Sequence, residues 1–308
     1  MTLLEWQSRM KDLKSSRREW PPWDLLDCLA TEPQSLSSME QIERWICGFN
    51  GSWCYRGHRD ESWFLVSSLV RERKEVQLEV EDHTHTMLPR FDASAHELLE
   101  LTEFQDGNSE LRASNREDNL AKMQHYGAPT TSLDFSRSPY VALWFAMQDE
   151  RLGKRNDGSP KGSVMWAIDL HWLAETGQRM VTDGDPHIVV VQAVSHPNRR
   201  MVAQQGVLLV NRSPQRTFTE CLLGMLLKSP IAAEGQVVSK LAVRRDQRAQ
   251  LLEELIRIGI DSESMLPADD ALESRALSVT QRLRERTARE RSEFERSVRS
   301  RMEFRRNR

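Results

Sequence analysis

The sequence has no apolar run long enough to cross a bilayer, so no helical membrane span is expected. Its first residues, MTLLEWQSRMKDLKSS, carry charges throughout and lack the apolar core of a secretion signal. Cysteine is scarce. Cys28, Cys47, Cys54 and Cys221 include no CxxC pair, which argues against both a thiolate zinc site and a disulfide framework. A reducing, cytoplasmic compartment is therefore expected. No internal repeat is visible, which argues against a solenoid or propeller. Net charge is also low, at −3 over 308 residues, but that balance hides an asymmetry. Residues 275–308 hold twelve arginines against five glutamates. That segment is net +7, and the rest of the chain is net −10. Such a tail suits an anionic partner or a fold-back onto an acidic body.

With 39% hydrophobic residues the chain can build a real core. Two segments combine core character with polar chemistry. One is Trp53-Cys54-Tyr55-Arg56-Gly57-His58; the other is residues 124–146, QHYGAPTTSLDFSRSPYVALWFA. Both are apolar and aromatic, like the edge of a core. Both also place Arg, His, Tyr, Thr, Ser and Asp where burial is costly unless the group is paired or used. A site is expected where the two segments meet.

Periodicity predicts a helix from Ser38, with Met39, Ile42, Trp45 and Ile46 at helical spacing and Gly48 at its end. A short strand follows at Trp53 to Tyr55, then a polar turn that holds His58. Ser138-Pro139 reads as an N-cap and first turn. It opens a helix from Tyr140 to Asp149 that buries Val141, Ala142, Trp144 and Phe145. Strands are expected at Val164 to Leu170, at Ile188 to Val194 as a fully buried run, at Gly206 to Val210 and around Val237-Val238. A further helix ends at Gly259. From about Asp270 onward the pattern is one long charged helix, with Arg and Glu at (i, i+4) spacing. The division is an N-terminal helical extension over residues 1–37, a main α+β domain over 38–265 and an Arg-rich C-terminal helix over 270–308.

Several of these residues carry a family resemblance. They are Tyr55-Arg56-Gly57, Trp63, Ser68 to Arg71, Gln124-His125-Tyr126-Gly127, Pro129-Thr130, Leu133-Asp134-Phe135, Ser138-Pro139 with its Val-Ala-Leu-x-Phe-Ala helix, and Arg200 with Gln204-Gln205-Gly206. Together they resemble the FRG domain family, named for its aromatic-Arg-Gly motif, over roughly residues 38–265. Beneath this lies a resemblance to ADP-ribosyltransferases of the Arg-Ser-Glu class. Those enzymes place an Arg on a first strand, a Ser-Thr-Ser-like motif on a second and a Glu on a third. This implies an ADP-ribosyltransferase-like pair of small sheets forming a cleft for NAD, flanked by helices. It further implies that Arg56 binds the NAD phosphates through charge-assisted hydrogen bonds. Thr131 and Ser132 would hold ribose or carboxamide, and Tyr126 would stack on the nicotinamide. A carboxylate would stabilise the oxocarbenium character of the breaking bond. The third motif departs from that class, with Gln205-Gly206 where the transferases carry Glu. Gln205 can orient a ribose hydroxyl but supplies no charge, so Asp134, or else Glu220, is the candidate acid.

Plainer readings stand beside these. Arg56 and Asp134 can form a buried structural salt bridge. Thr130-Thr131-Ser132 can be a capped turn. His125 can be a core histidine and His58 a solvated turn residue. Asp82, His83 and His85 show no further ligand, so no metal is expected. The functional expectation is an NAD-dependent, ADP-ribosyltransferase-like toxin or antiphage defence effector that modifies a macromolecule. Nucleic acid, RNA or DNA, is the preferred target because of the arginine tail. The alternative is a non-catalytic nucleotide- or nucleic-acid-binding module. A third reading is an interaction protein whose C-terminal helix docks an antitoxin or chaperone.

Overall fold

The computed structural model describes residues 37–61, 63, 65–67, 124, 130–148, 162–185, 187–191, 199–212, 218–229, 232, 236–267 and 296. The extension over residues 1–37 and the helix expected over 270–308 therefore fall outside the described residues, apart from Ser37 and Arg296. Among the described residues six strands are present: β1 (Trp53–His58), β2 (Ser132–Ser136), β3 (Ser163–Asp169), β4 (Ile188–Val191), β5 (Gly206–Asn211) and β6 (Val238–Val243). The helices described in full are α1 (Met39–Cys47), α2 (Pro139–Met147), α3 (Leu170–Asp183), α4 (Arg199–Ala203), α5 (Phe218–Lys228), α6 (Arg248–Arg257) and α7 (Ser262–Met265). No described helix is long and apolar enough to cross a membrane.

The α+β class holds, but the described strands form one sheet where a pair of small sheets was expected. Its order is β4-β5-β2-β1-β3-β6, and every neighbouring pair is antiparallel. The reason is that β1 has partners on both edges. Its two sides are unequal. Along β3 it pairs from Trp53↔Asp169 to His58↔Val164. Along β2 only Tyr55↔Ser136 is in register. The sheet is thus two three-stranded halves, β4-β5-β2 and β1-β3-β6, joined at a narrow seam.

Side chains alternate across the sheet and build a core on each face. Cys54, Phe135, Trp166, Ile168 and Val207 pack with Trp172 and Leu173 of α3 and with Phe218 and Leu222 of α5. Trp53, Tyr55, Met165 and Leu241 pack on the other face with Ile42 of α1, Val141 and Trp144 of α2, and Leu251 of α6.

Caps set the helix bounds. Ser38 accepts the Gln41 N–H, and Gly48 closes α1. Ser138 accepts the Val141 N–H, and Pro139 occupies the first turn of α2. Asp169 accepts the N–H groups of His171 and Trp172, so α3 starts without a linker after β3. Two burial expectations need correction. In β4 only Ile188 is buried, because β4 is an edge strand and not a central one. Phe145 is half-buried, while its neighbour Trp144 is in the core.

Candidate functional site

Three consecutive residues of β1 meet three different demands. Tyr55, 5% exposed, turns into the α1 and α2 core beside the rings of Trp45 and Phe49. Burial, with a smaller contribution from Cys54, pushes its hydroxyl up to about 12, so it stays protonated at neutral pH. Gly57 faces the same way and lies under the α2 backbone. A Cβ there would sit 1.9 Å from the Ala142 carbonyl oxygen and 2.8 Å from the Ala146 nitrogen. Arg56, between them, is directed by alternation to the opposite face, with Cys54 and His58.

Among the described residues, two groups orient Arg56. Its Nε donates to His58 Nε2 at 3.0 Å, and its Nη1 donates to the backbone carbonyl of Asp134. The second bond spans the seam from β1 to β2. Arginine has no acceptor, so His58 Nε2 must accept and the ring proton sits on Nδ1. That proton points to the Trp63 carbonyl, 3.3 Å away. His58 is therefore not a solvated turn residue. It is the last residue of β1 and 5% exposed. The strand runs three residues beyond its expected end because its ladder with β3 continues to Val164.

The Arg56–Asp134 salt bridge is replaced by this backbone contact. Leu133 and Phe135 face the α3 and α5 core, so Ser132 and Asp134 face the other way. Asp134 is exposed. Thr131 is buried at the entry to β2. Thr130 does act as a turn cap, donating to Gln124 Oε1 at 2.6 Å and accepting the Ser132 N–H at 3.3 Å. The Ser132 hydroxyl is buried with no hydrogen-bond partner among the described residues.

The third motif is built differently. Gln205 is exposed and left-handed, with φ 48°, between α4 and β5. Its carbonyl accepts the Arg137 N–H at 3.0 Å. Gln204 is the structural member. Its carbonyl accepts from Ser136 Oγ at 2.7 Å, and its Nε2 donates to the Met265 carbonyl at 2.8 Å. Arg200 Nε donates to the Pro267 carbonyl at 3.2 Å. This motif thus ties β2 and α4 to α7. Glu220 lies in the first turn of α5 and is half-buried. Tyr126, His125, Asp82, His83 and His85 lie outside the described residues. Among the described residues no group of three or more His, Cys, Asp and Glu side chains is placed to hold a metal.

Two further residues join Arg56 on its face. Trp166 is its partner on β3, and Lys240 is the partner of Trp166 on β6. The Lys240 Nζ lies over the Trp166 ring, 5.1 Å from the centroid. Trp166 Nε1 is buried with no hydrogen-bond partner among the described residues, a deficit of about 1–3 kcal/mol for an N–H donor. Cys54, on the same face, is no nucleophile. Burial drives its thiol far above the usual range, against a smaller lowering by Arg137. Sequence reasoning missed Trp166 and Lys240. It undervalued His58 because it ended the strand at Tyr55; the strand that runs on to His58 puts that residue on the face of Arg56.

Residues 51–155 match the family model of the FRG domain, a span that takes in β1, β2 and α2. No curated protein and no solved structure matches the chain.

Proposed function

We propose that this chain, which carries an FRG domain, binds the pyrophosphate of NAD at Arg56 and transfers ADP-ribose to a macromolecule, acting as a toxin or antiphage defence effector. The observation that carries the reading is the setting of Arg56. Its guanidinium is oriented by His58 and by the Asp134 carbonyl at the seam of the sheet. A fork fixed in this way presents its donors to phosphate oxygens with little further loss of rotamer freedom. In this reading Thr131 holds ribose or carboxamide, Tyr126 stacks on the nicotinamide and Gln205 orients the reacting ribose; Ser132, which faces the opposite side of the sheet from Arg56, drops out of the expected set. Nucleic acid is the preferred acceptor, because twelve arginines crowd residues 275–308.

One observation favours a second reading. The Asp134 carboxylate faces away from Arg56, and Gln205 brings no charge. An anion anchor to which neither motif residue brings an acid suits a nucleotide-binding module without transferase activity.

A single experiment separates the two. Purified protein is given NAD labelled in its adenylate half, together with cellular RNA, DNA and protein. The comparison uses wild type, Arg56→Ala and Asp134→Asn. Transferase action predicts label on one acceptor class, reduced about a hundredfold or more in Arg56→Ala, the scale of losing one oriented donor. Calorimetric NAD binding that depends on Arg56, with no label on any class, selects the binding module. No NAD binding by wild type overturns both readings.

A further inference from the structure

Trp63 stands apart from the other rings of the fold. It is 37% exposed, whereas every other Phe, Tyr and Trp among the described residues is buried or half-buried. We infer that the Trp63 indole is a stacking surface for a nucleobase, the adenine of the nucleotide whose phosphates Arg56 anchors. The inference rests on the reading of Arg56 as that anchor. It adds a residue that would select a nucleotide over a sugar phosphate.

The ring is exposed but not loose. An aromatic side chain on a mobile loop would lose backbone and rotamer freedom on binding. Trp63 is spared much of that loss. Its N–H donates to the Asp60 carbonyl at 3.1 Å, and the Glu61 N–H donates to the Gly162 carbonyl at 2.9 Å. The turn after β1 is thus tied to the residue that precedes β3. The Trp63 carbonyl faces His58 Nδ1 at 3.3 Å. The side chain is also set in place. The Arg59 guanidinium lies over the indole, 4.7 Å from its centroid. The His58 ring meets it near edge-on, with centroids 6.2 Å apart. A ring fixed from these sides that still shows more than a third of its area is ready-made for stacking.

Position names the ligand. One imidazole lies between Arg56 and Trp63. His58 accepts from Arg56 Nε at 3.0 Å and packs against the indole with its ring. In a nucleotide, base and 5′-phosphate are likewise kept apart by one five-membered ring, the ribose. A phosphate at Arg56 can therefore bring its base to Trp63. Stacking accepts any base, since each has a π face, at about 1–3 kcal/mol per base. The transferase reading gives the nicotinamide to Tyr126, which leaves adenine for Trp63. Arg59 takes one face of the indole, so the base takes the exposed remainder.

The test compares AMP with ribose 5-phosphate, which lacks the base. Calorimetry measures both on the full chain, as wild type, Trp63→Phe, Trp63→Leu and Arg56→Ala, with circular dichroism confirming the fold. Wild type should prefer AMP. Trp63→Leu should lose about tenfold in AMP affinity, the scale of one base stack, and Trp63→Phe should keep most of it. Ribose 5-phosphate binding should be the same in all three, and Arg56→Ala should weaken both ligands. In wild type labelled with nitrogen-15 tryptophan, AMP but not ribose 5-phosphate should move the Trp63 indole resonance, assigned by its absence in Trp63→Phe. This readout serves even if Trp63→Leu fails to fold. A resonance that ignores AMP, or a Trp63→Leu variant that keeps the AMP preference or weakens both ligands alike, overturns the stacking site. The Arg56 reading then stands if Arg56→Ala still weakens both. If AMP, ribose 5-phosphate and NAD all fail to bind wild type, the two fall together.

Discussion

Gly57 makes the Arg-Gly half of the motif a packing requirement as much as a chemical one. The α2 backbone lies so close that a methyl group would overlap the Ala142 carbonyl. Backbone cannot move aside as a flexible side chain would, so Gly57→Ala should destabilise by about 2–4 kcal/mol. Gly224 is the contrast. It sits within α5 with nothing near its missing Cβ, so Gly224→Ala should stabilise by about 0.5–1 kcal/mol. Urea unfolding of both variants beside wild type checks the pair. Equal effects at the two glycines would refute the close approach of α2 to β1. The Arg56–His58 pair was not legible in the sequence, where the strand ended at Tyr55 and His58 fell in a polar turn; only the longer β1 puts the two on one face. Nor was the direction of the Asp134 carboxylate, because it depends on which face Leu133 and Phe135 bury.

At the scale of elements, caps were the most readable signal. Ser38 and Gly48 bound α1, and Ser138 with Pro139 opens α2, as their chemistry predicts. Ser138 Oγ accepts the Val141 N–H at 3.3 Å, so Ser138→Ala should lower stability by about 1 kcal/mol. Ser138→Asp, which keeps an acceptor at the cap, should recover most of that stability, and thermal melts of the two variants report it. Other elements were hidden for physical reasons. Helix α3 follows β3 with no loop residues to announce it, since Asp169 is both the last strand residue and the cap. Helix α5 buries Phe218, Cys221, Leu222, Leu223, Met225 and Leu226, which leaves little polar contrast for a helical period. The β-branched run of β4 looks like a central strand, but it sits at the sheet edge.

The whole molecule unites residues that no local pattern connects. Trp166 and Lys240 share a row with Arg56 only because β3 and β6 follow β1 in order on one side of the sheet. No spacing rule relates them, so the row became visible only with the sheet. The charge asymmetry, by contrast, is a property of the chain itself. If the arginines of residues 275–308 bind nucleic acid, deleting residues 270–308 should weaken binding and flatten the fall of log affinity with log salt. The slope should change by about 0.7–0.9 for each phosphate that the tail neutralises. Filter binding of RNA and DNA over a salt series measures this, with circular dichroism confirming the fold. An unchanged salt slope would remove the tail from the binding surface.

The narrow junction between β1 and β2 also constrains how the protein can be divided. The chain passes from one half of the sheet to the other between β1 and β2, β2 and β3, β3 and β4, and again β5 and β6. Neither half is therefore a continuous stretch of sequence. The family-matched residues 51–155 contain one strand from each half and none of the strands that flank them. A fragment cut to those limits would keep the family signature and lose the sheet that shapes it. The two halves are interlaced by their own connections, so neither can be cut out as a single segment of the chain.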